Sequence, residues 1–364
     1  NPAMKVLFFA VALFLSAGAG AAGGGPRSCR ADSELVRFVG RAAGDAAGSL
    51  SFDWSGSHFS FRFDGTACSM RASDTGCNYY NVFVDGKFYG TVTVEGGASV
   101  IPLVGKLRRG PHTVTVQKRT EAEQGRTTLY AIETDGRLLA PPPAPGRLIE
   151  FIGDSHTCGY GTEGLSPREP FTPRTENCDL AWACITARYF DADYVLIAHS
   201  GRGIVRNWGD PKAASEITMT DRMMRTFDEV ADSRWDFQGY KPDIVVIKLG
   251  TNDLSADIVP SERVFGKAFR RMCGNLREKY GDVPILYVVP QGAGPFYDFA
   301  RTIIKGLNDK NLHCILQFDE IHDMDADLGA GYHPNYRGHR KIAAAVIPYI
   351  ATITGWEMPL RAIE

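Results

Sequence analysis

From about Ser33 to Thr134, apolar and polar side chains alternate in short bursts, each cut off by glycine, Asp-Gly or proline. Ser57-His58-Phe59-Ser60-Phe61-Arg62-Phe63 is the cleanest burst and stops at Asp64-Gly65. Tyr79-Tyr80-Asn81-Val82-Phe83-Val84 stops at Asp85-Gly86, and Thr91-Val92-Thr93-Val94 stops at Glu95-Gly96-Gly97. His112-Thr113-Val114-Thr115-Val116 follows Gly110-Pro111. Successive side chains of a strand point to opposite faces, so Phe59, Phe61 and Phe63 share one apolar face. Short strands at this cadence, joined by Asp-Gly turns, predict an antiparallel β-sandwich of jelly-roll type over residues 30–140.

Pro141-Pro142-Pro143-Ala144-Pro145-Gly146 ends that pattern. Proline fixes φ and lacks an amide hydrogen, so residues 141–146 read as a stiff, extended linker. From residue 147 to 364, uniformly apolar runs replace the alternation. They cover 147–152, Tyr194–Ala198, Ile244–Ile247, Ile285–Val289 and Cys314–Phe318. Segments such as 179–190, 260–280 and 297–309 lie between these runs and carry helical periodicity. Strands that are apolar on both faces and alternate with helices predict an α/β domain, a parallel sheet covered on both sides.

A length of 364 residues accommodates two such domains. The 40 basic and 42 acidic residues leave a net charge of −2. No basic stripe is present, which argues against nucleic acid or an anionic membrane as partner. Lys5, the apolar run Val6–Leu15 and the small residues Ala17-Gly18-Ala19 follow the order of a secretion signal, and the run is too short to span a bilayer. Residues 1–25 are therefore expected to be a signal peptide, with Met4 as initiator and residues 1–3 a remnant ahead of it. The mature protein is expected to be secreted or periplasmic. Export permits disulfides among the eight cysteines. Cys68 with Cys77, and Cys158 with Cys178 or Cys184, are candidate pairs, and buried free thiols fit the spacing equally well. No metal or other cofactor is expected.

Each apolar run of the second half hands over to a chemically distinctive cluster. The first leads to Gly153-Asp154-Ser155-His156, the second to His199-Ser200-Gly201-Arg202-Gly203, and the third to Lys248-Leu249-Gly250-Thr251-Asn252-Asp253. Gly331-Tyr332-His333-Pro334-Asn335 lies near the end. In a parallel sheet all strand carboxyl ends share one edge, so these distant clusters can converge. Ser155 needs a base to become a nucleophile, and an imidazole such as His333 titrates in the right range. The negative oxygen of a tetrahedral intermediate needs fixed donors, and the Ser155 N–H, the Gly201 N–H and the Asn252 amide can supply them. Asp154 is expected to brace the nucleophile turn, Asp253 to be structural, His156 and His199 to support loops, and His339 to be a structural histidine on the following helix. Gly159-Tyr160-Gly161-Thr162-Glu163-Gly164 fits a dinucleotide pattern, but the serine motif separates it from the strand. Asp323-Met324-Asp325-Ala326-Asp327 has calcium-loop spacing, but Leu328 stands where a glycine is needed, so a solvated acidic turn is expected.

The Gly-Asp-Ser, glycine, Gly-Thr-Asn-Asp and late-histidine blocks, in that order over residues 147–350, resemble the SGNH or GDSL-type hydrolases. Ile149 to Ser155, Ser200 to Gly203, Arg206-Asn207, Leu249 to Asp253 and His333 to Asn335 resemble carbohydrate esterase family two more closely, and so does the jelly roll ahead of them. The resemblance implies an SGNH-type α/β/α catalytic domain at 147–364. It implies Ser155 as nucleophile, His333 as base, and Ser155, Gly201 and Asn252 lining the oxyanion hole. It also implies a secreted esterase that removes O-acetyl groups from plant polysaccharides such as xylan or glucomannan. Many SGNH enzymes carry an aspartate two or three residues before the histidine, where this chain has Gly331 and Ala330. Either a backbone carbonyl orients His333, making a Ser–His dyad, or an acid from elsewhere does, with Asp323, Asp325 and Asp327 nearest in sequence. Trp208, Tyr332 and Tyr160 are candidate contacts for an acetylated polysaccharide or oligosaccharide. A glycan-binding protein with weak turnover, or a lipase or thioesterase of the same superfamily, are the alternatives.

Overall fold

The computed structural model describes residues 25–290, 292–317 and 322–364. The expected signal, apart from Gly25, lies outside the described residues.

The first half is built from β1 (Ser28–Arg30), β2 (Val36–Val39), β3 (Ala43–Gly44), β4 (Leu50–Phe52), β5 (His58–Gly65) and β6 (Cys68–Asp74). It continues through β7 (Cys77–Val84), β8 (Lys87–Glu95), β9 (Ser99–Val104), β10 (Gly110–Lys118), β11 (Thr127–Thr134) and β12 (Arg137–Leu139). These strands form two antiparallel six-stranded sheets, one ordered β3-β4-β11-β6-β9 with β1 on β11, the other β12-β5-β10-β7-β8 with β2 on β5. The alternation in β5 places Phe59, Phe61 and Phe63 inward, with Phe59 opposite Val116 and Phe61 opposite Val114 on β10. Together with Met70, Tyr80, Val82 and Ile132 they fill the space between the sheets. Asp85-Gly86 closes the β7–β8 hairpin with both residues at positive φ, as a two-residue primed turn requires.

The second half centres on a parallel five-stranded sheet ordered β14-β13-β15-β16-β17. Its strands are β13 (Leu148–Gly153), β14 (Asp193–Ala198), β15 (Ile244–Lys248), β16 (Ile285–Val289) and β17 (Leu312–Leu316). The helices are α1 (Ser155–Cys158), α2 (Trp182–Tyr189), α3 (Met219–Arg222), α4 (Glu262–Tyr280), α5 (Gly294–Leu307) and α6 (Tyr336–Thr354). Alternate strand residues serve the two faces. Ile149, Phe151, Val246, Leu286 and Val288 pack on α2 and α6, while Val245, Ile247, Ile285 and Tyr287 pack on α4 and α5. Burial on both faces is why these strands read as unbroken apolar runs.

One expectation needs correction, and one pair of alternatives is decided. The last strand runs from Leu312 to Leu316, with Cys314 opposite Tyr287, two residues earlier than the apolar run 314–318 suggested. The candidate disulfides are absent, and all eight cysteines are free. Cys68 and Cys77 belong to strands of different sheets, while Cys158, Cys178 and Cys184 are packed as buried thiols.

The two halves dock through buried polar groups. Arg41, only 1% exposed, reaches from the sandwich to the carbonyls of Met223 (2.6 Å) and Arg225 (2.9 Å) and pairs with Glu150 (3.4 Å). Asp53 accepts from the N–H groups of Asp228 (3.0 Å) and Glu229 (3.3 Å), and Trp54 donates to the Thr226 carbonyl (3.0 Å). Arg119 donates to the Glu176 carbonyl (2.8 Å) and to the Glu163 carboxylate.

Candidate active site

β13 ends at Gly153, where a Cβ would meet Thr157 Oγ1 at 2.0 Å, so only glycine permits the tight exit into α1. Asp154 caps the helix, accepting from the His156 N–H at 3.1 Å. Ser155 is the first helical residue, and its N–H has no acceptor within the helix. This places the hydroxyl and an unbonded amide together at the carboxyl edge of the sheet.

His333 arrives from the far end of the chain, just ahead of α6, which Asn335 caps by accepting from the Gly338 N–H at 3.1 Å. Its Nε2 lies 2.9 Å from Ser155 Oγ, and its Nδ1 lies 2.8 Å from the Gly331 carbonyl. A carbonyl only accepts, so Nδ1 carries the proton and Nε2 presents its lone pair to the serine hydroxyl. Burial holds the His333 ring below its ordinary value, opposed by the Gly331 carbonyl and by the charge of Glu121. Of the two ways of orienting His333, the structure therefore has the carbonyl. Gly331 and Tyr332 both take left-handed φ, 63° and 59°, to turn that oxygen back onto the ring. Two of the three nearby acids are engaged elsewhere, and Asp325 is exposed. Asp327 is buried and paired with Arg337 (2.9 Å) and Lys341, so it does not belong to a solvated turn as expected, and Asp323 caps Asp325 and Ala326.

The glycine series beside the nucleophile has a packing role. A Cβ on Gly161 would lie 2.1 Å from the Ala330 carbonyl oxygen, and one on Gly164 would lie 2.1 Å from the Ala330 nitrogen. Glycines let the loop after Ser155 touch the loop that carries His333.

Gly201, at φ 75°, follows β14, and its N–H makes no hydrogen bond among the described residues. Its neighbours are tied down, with the Ser200 N–H on Glu121 Oε2 (2.8 Å) and the Trp208 N–H on the Gly201 carbonyl (2.8 Å). Asn252, after β15, donates through Nδ2 to the Arg202 carbonyl (2.9 Å) and to Asp154 Oδ2 (3.3 Å). The longer bond to Asp154 is the weaker one and the one that would yield to a developing oxyanion. Asp253 accepts from the N–H groups of Ile204 (3.1 Å), Val205 (2.7 Å) and Arg206 (3.0 Å), bracing the same loop, and burial pushes its carboxyl up to about 7.

Trp208 and Tyr332 are 72% and 59% exposed; Trp208 is tied through its N–H to the Gly201 carbonyl, and Tyr332 directly precedes His333. Tyr160 differs. Its ring stacks on Phe171 at 3.7 Å and tilts against His333 at 4.4 Å, so it packs the histidine and does not offer a free face. Sequence reasoning passed over two supporting groups. Lys248 Nζ sits 3.1 Å from His156 Nδ1, and burial lowers its ammonium to about 8 against the opposing charge of Asp154. Its signal was a lysine ending an apolar strand. Asp228, 2.5 Å from His199 Nδ1, lies in a segment without periodicity and had no such signal. His199 also has cation-ligand spacing with Glu121 and Glu123 and with Asp228 and Glu229, though Arg222 already supplies positive charge beside Asp228 and Glu229.

Residues 38–143 match the carbohydrate esterase 2 N-terminal family, and residues 151–341 match the GDSL-like lipase/acylhydrolase family. A family two carbohydrate esterase from Clostridium thermocellum, solved with cellohexaose, aligns at a TM-score of 0.82 and 31% identity, over 88% of this chain and 100% of that one. The chain belongs to carbohydrate esterase family two. This family two chain is 36% identical over 310 residues to the cellulase/esterase CelE of Acetivibrio thermocellus, covering 83% of itself but 38% of that protein's length. It is 33% identical over 222 residues to an acetylxylan esterase/glucomannan deacetylase of Cellvibrio japonicus, 59% of each chain. Family membership makes it a serine esterase of acetylxylan-esterase-like type.

Proposed function

We propose that the chain hydrolyses O-acetyl esters on plant polysaccharides such as xylan or glucomannan, through a Ser155–His333 dyad. The observation that carries this reading is the 2.9 Å approach of His333 Nε2 to Ser155 Oγ with Nδ1 held on a carbonyl. His333 takes the serine proton as Oγ attacks the acetyl carbonyl, and the oxyanion meets the Ser155, Gly201 and Asn252 donors. The imidazolium then protonates the departing sugar oxygen, which leaves as a free hydroxyl. Water, deprotonated by the same ring, attacks the acetyl-serine and releases acetate. The exposure of Trp208 and Tyr332 supports a role in stacking on sugar rings, and the names of the curated relatives support the substrate class. Export under the amino-terminal signal would put the enzyme where such polymers are found.

The test is acetate release from acetylated xylan, acetylated glucomannan and 4-nitrophenyl acetate. Turnover on the polymers is expected, and Ser155→Ala should abolish it; an active Ser155→Ala protein would overturn the assignment. The cellohexaose complex of the Clostridium thermocellum relative favours a second reading, a glycan-binding role with weak turnover. Calorimetric binding of cellohexaose without acetate release from any of the three esters would select it.

A further inference from the structure

Glu121 belongs to the sandwich, in the connection between β10 and β11, yet its carboxylate lies at the edge of the candidate site. The residue is 1% exposed. Its Oε2 accepts from the Ser200 N–H at 2.8 Å, one residue before the Gly201 oxyanion donor. The same oxygen is 3.7 Å from Cys158 Sγ, the last residue of the short helix that Ser155 opens. One carboxylate oxygen thus contacts both loops that must hold register during acyl transfer. The backbone of Glu121 is itself firmly held. The Glu121 N–H donates to Glu176 Oε2 at 2.9 Å, and the Lys118 ammonium donates to the Glu121 carbonyl at 3.1 Å.

The surroundings are equally specific. Glu121 and Glu176 share a buried site, and burial together with the neighbouring carboxylate pushes the Glu176 carboxyl well above the ordinary carboxylate range. The buried Lys118 ammonium lies beside them, on the Thr120 and Glu121 carbonyls.

We propose that Glu121, contributed by the jelly-roll domain, is a positioning residue of the dyad. Its carboxylate fixes Ser200, and with it the Gly201 donor, and through Cys158 it touches the end of the helix that Ser155 opens. In a triad, an aspartate on Nδ1 orients the ring. Here the Gly331 carbonyl does that, while Glu121 holds the oxyanion loop from the other domain and its carboxylate raises the His333 ring against the effect of burial. The groups that face His333 are Ser155 and His156 on α1, Tyr160 beyond it, and the Gly331 carbonyl, with Lys248 on β15, His322 and His339 on α6 behind His156. Those that face Glu121 are Glu176, Cys158, Lys118, Glu123 and His199.

This inference rests on the Ser155–His333 esterase reading. Its test is kcat, KM and the pH profile on 4-nitrophenyl acetate for wild type, Glu121→Ala, Glu121→Gln and Glu121→Gln/Glu176→Gln. Glu121→Ala should lower kcat by roughly tenfold to a hundredfold while KM stays within about twofold, as a displaced donor does. Glu121→Gln keeps an acceptor for Ser200 and should recover part of that loss. The double variant removes the remaining charge and should move the acidic limb of kcat/KM to lower pH. Arg37→Gln is the control, because it breaks a domain-docking pair with Asp193 at the opposite end of β14. It should lower the melting temperature and leave kcat as in wild type. Wild-type kcat in Glu121→Ala, or an equal fall in Arg37→Gln, would overturn the proposal. Failure of the wild type to turn over any acetyl ester would instead overturn the esterase reading.

Discussion

Two histidines stand near the carboxyl edge of the parallel sheet, and they are held in opposite ways. His199 follows β14 and has a carboxylate on Nδ1, Asp228 at 2.5 Å, itself anchored by Arg222 at 2.6 Å. His333 follows no strand directly and has only the Gly331 carbonyl on Nδ1. Burial lowers the His199 ring, but the Asp228 carboxylate outweighs it, so the imidazolium is favoured; burial prevails on His333, so the neutral ring is favoured. The Asp–His pair that looks more like half of a triad is still not the base, because it is His333 Nε2 that lies 2.9 Å from Ser155 Oγ. A carbonyl fixes the tautomer without protonating the ring in advance. The residual need, stabilising the imidazolium once it forms, can then be met from farther away.

The largest effect should come from removing the ring that touches serine. His333→Ala should cost on the order of 10⁴- to 10⁶-fold in kcat on 4-nitrophenyl acetate. His199→Ala should cost stability and less than about tenfold in kcat. An inversion of that ranking would mean that the wrong histidine has been assigned as base.

The next largest should fall on the supporting pair. Asp228→Asn leaves Arg222 and His199 without their buried counter-charge, and breaking such a pair costs about 3–5 kcal/mol. Denaturant unfolding should show that loss, while kcat per folded molecule stays near wild type. A collapse of kcat at unchanged stability would make His199–Asp228 part of the chemistry and dissolve the contrast.

Gly331→Ala probes the other side of the comparison. The position needs φ of 63°, and the added Cβ would lie 3.2 Å from Tyr160 Cε1. A left-handed alanine costs roughly 1–2 kcal/mol. The carbonyl would rotate away from Nδ1, and kcat is expected to fall by about tenfold with KM little changed. An unaffected kcat would show that the carbonyl does not orient the ring.

How much of this could be read beforehand follows the same division. Ser155, Gly201, Asn252 and His333 were visible because each is a distinctive residue in a loop that a strand or a capped helix positions. The strands were visible because burial on both faces leaves an unbroken apolar run, although that same uniformity hid the two-residue shift of β17. Glu121, Asp228 and Arg41 were not visible. Ser200 lies 79 residues from Glu121, and Arg41 lies 182 from Met223, contacts created by docking one domain on another. Periodicity reports which face of an element is buried; it carries no information on which charges meet across a domain boundary. For His333, sequence showed that the neighbouring acid was missing but not that two left-handed residues would supply a carbonyl in its place.

The smallest expected effect concerns the histidines behind the site. Burial first, then the Lys248 ammonium, holds His156 and His339 well below the ordinary imidazole range and lowers His322 to about 4. An unfolded histidine titrates near 6.5. A ring held neutral in the folded state contributes stability that is present above that value and is lost as pH falls below it. His199 has the opposite sign, contributing fully below 6.5 and losing its contribution as pH rises through its elevated folded value. Buried acids such as Asp53, pushed up to about 7, also gain as pH falls, so the whole-protein melting curve sums opposing parts. A difference between variants isolates one ring. His339→Gln should lower the melting temperature more at pH 8 than at pH 5, because at pH 5 the wild type already strains to keep the ring neutral. His199→Gln should show the reverse order. Parallel pH dependence in both variants would mean that the two histidine environments are not electrostatically distinct, and that the Asp228 carboxylate does nothing for the His199 ring.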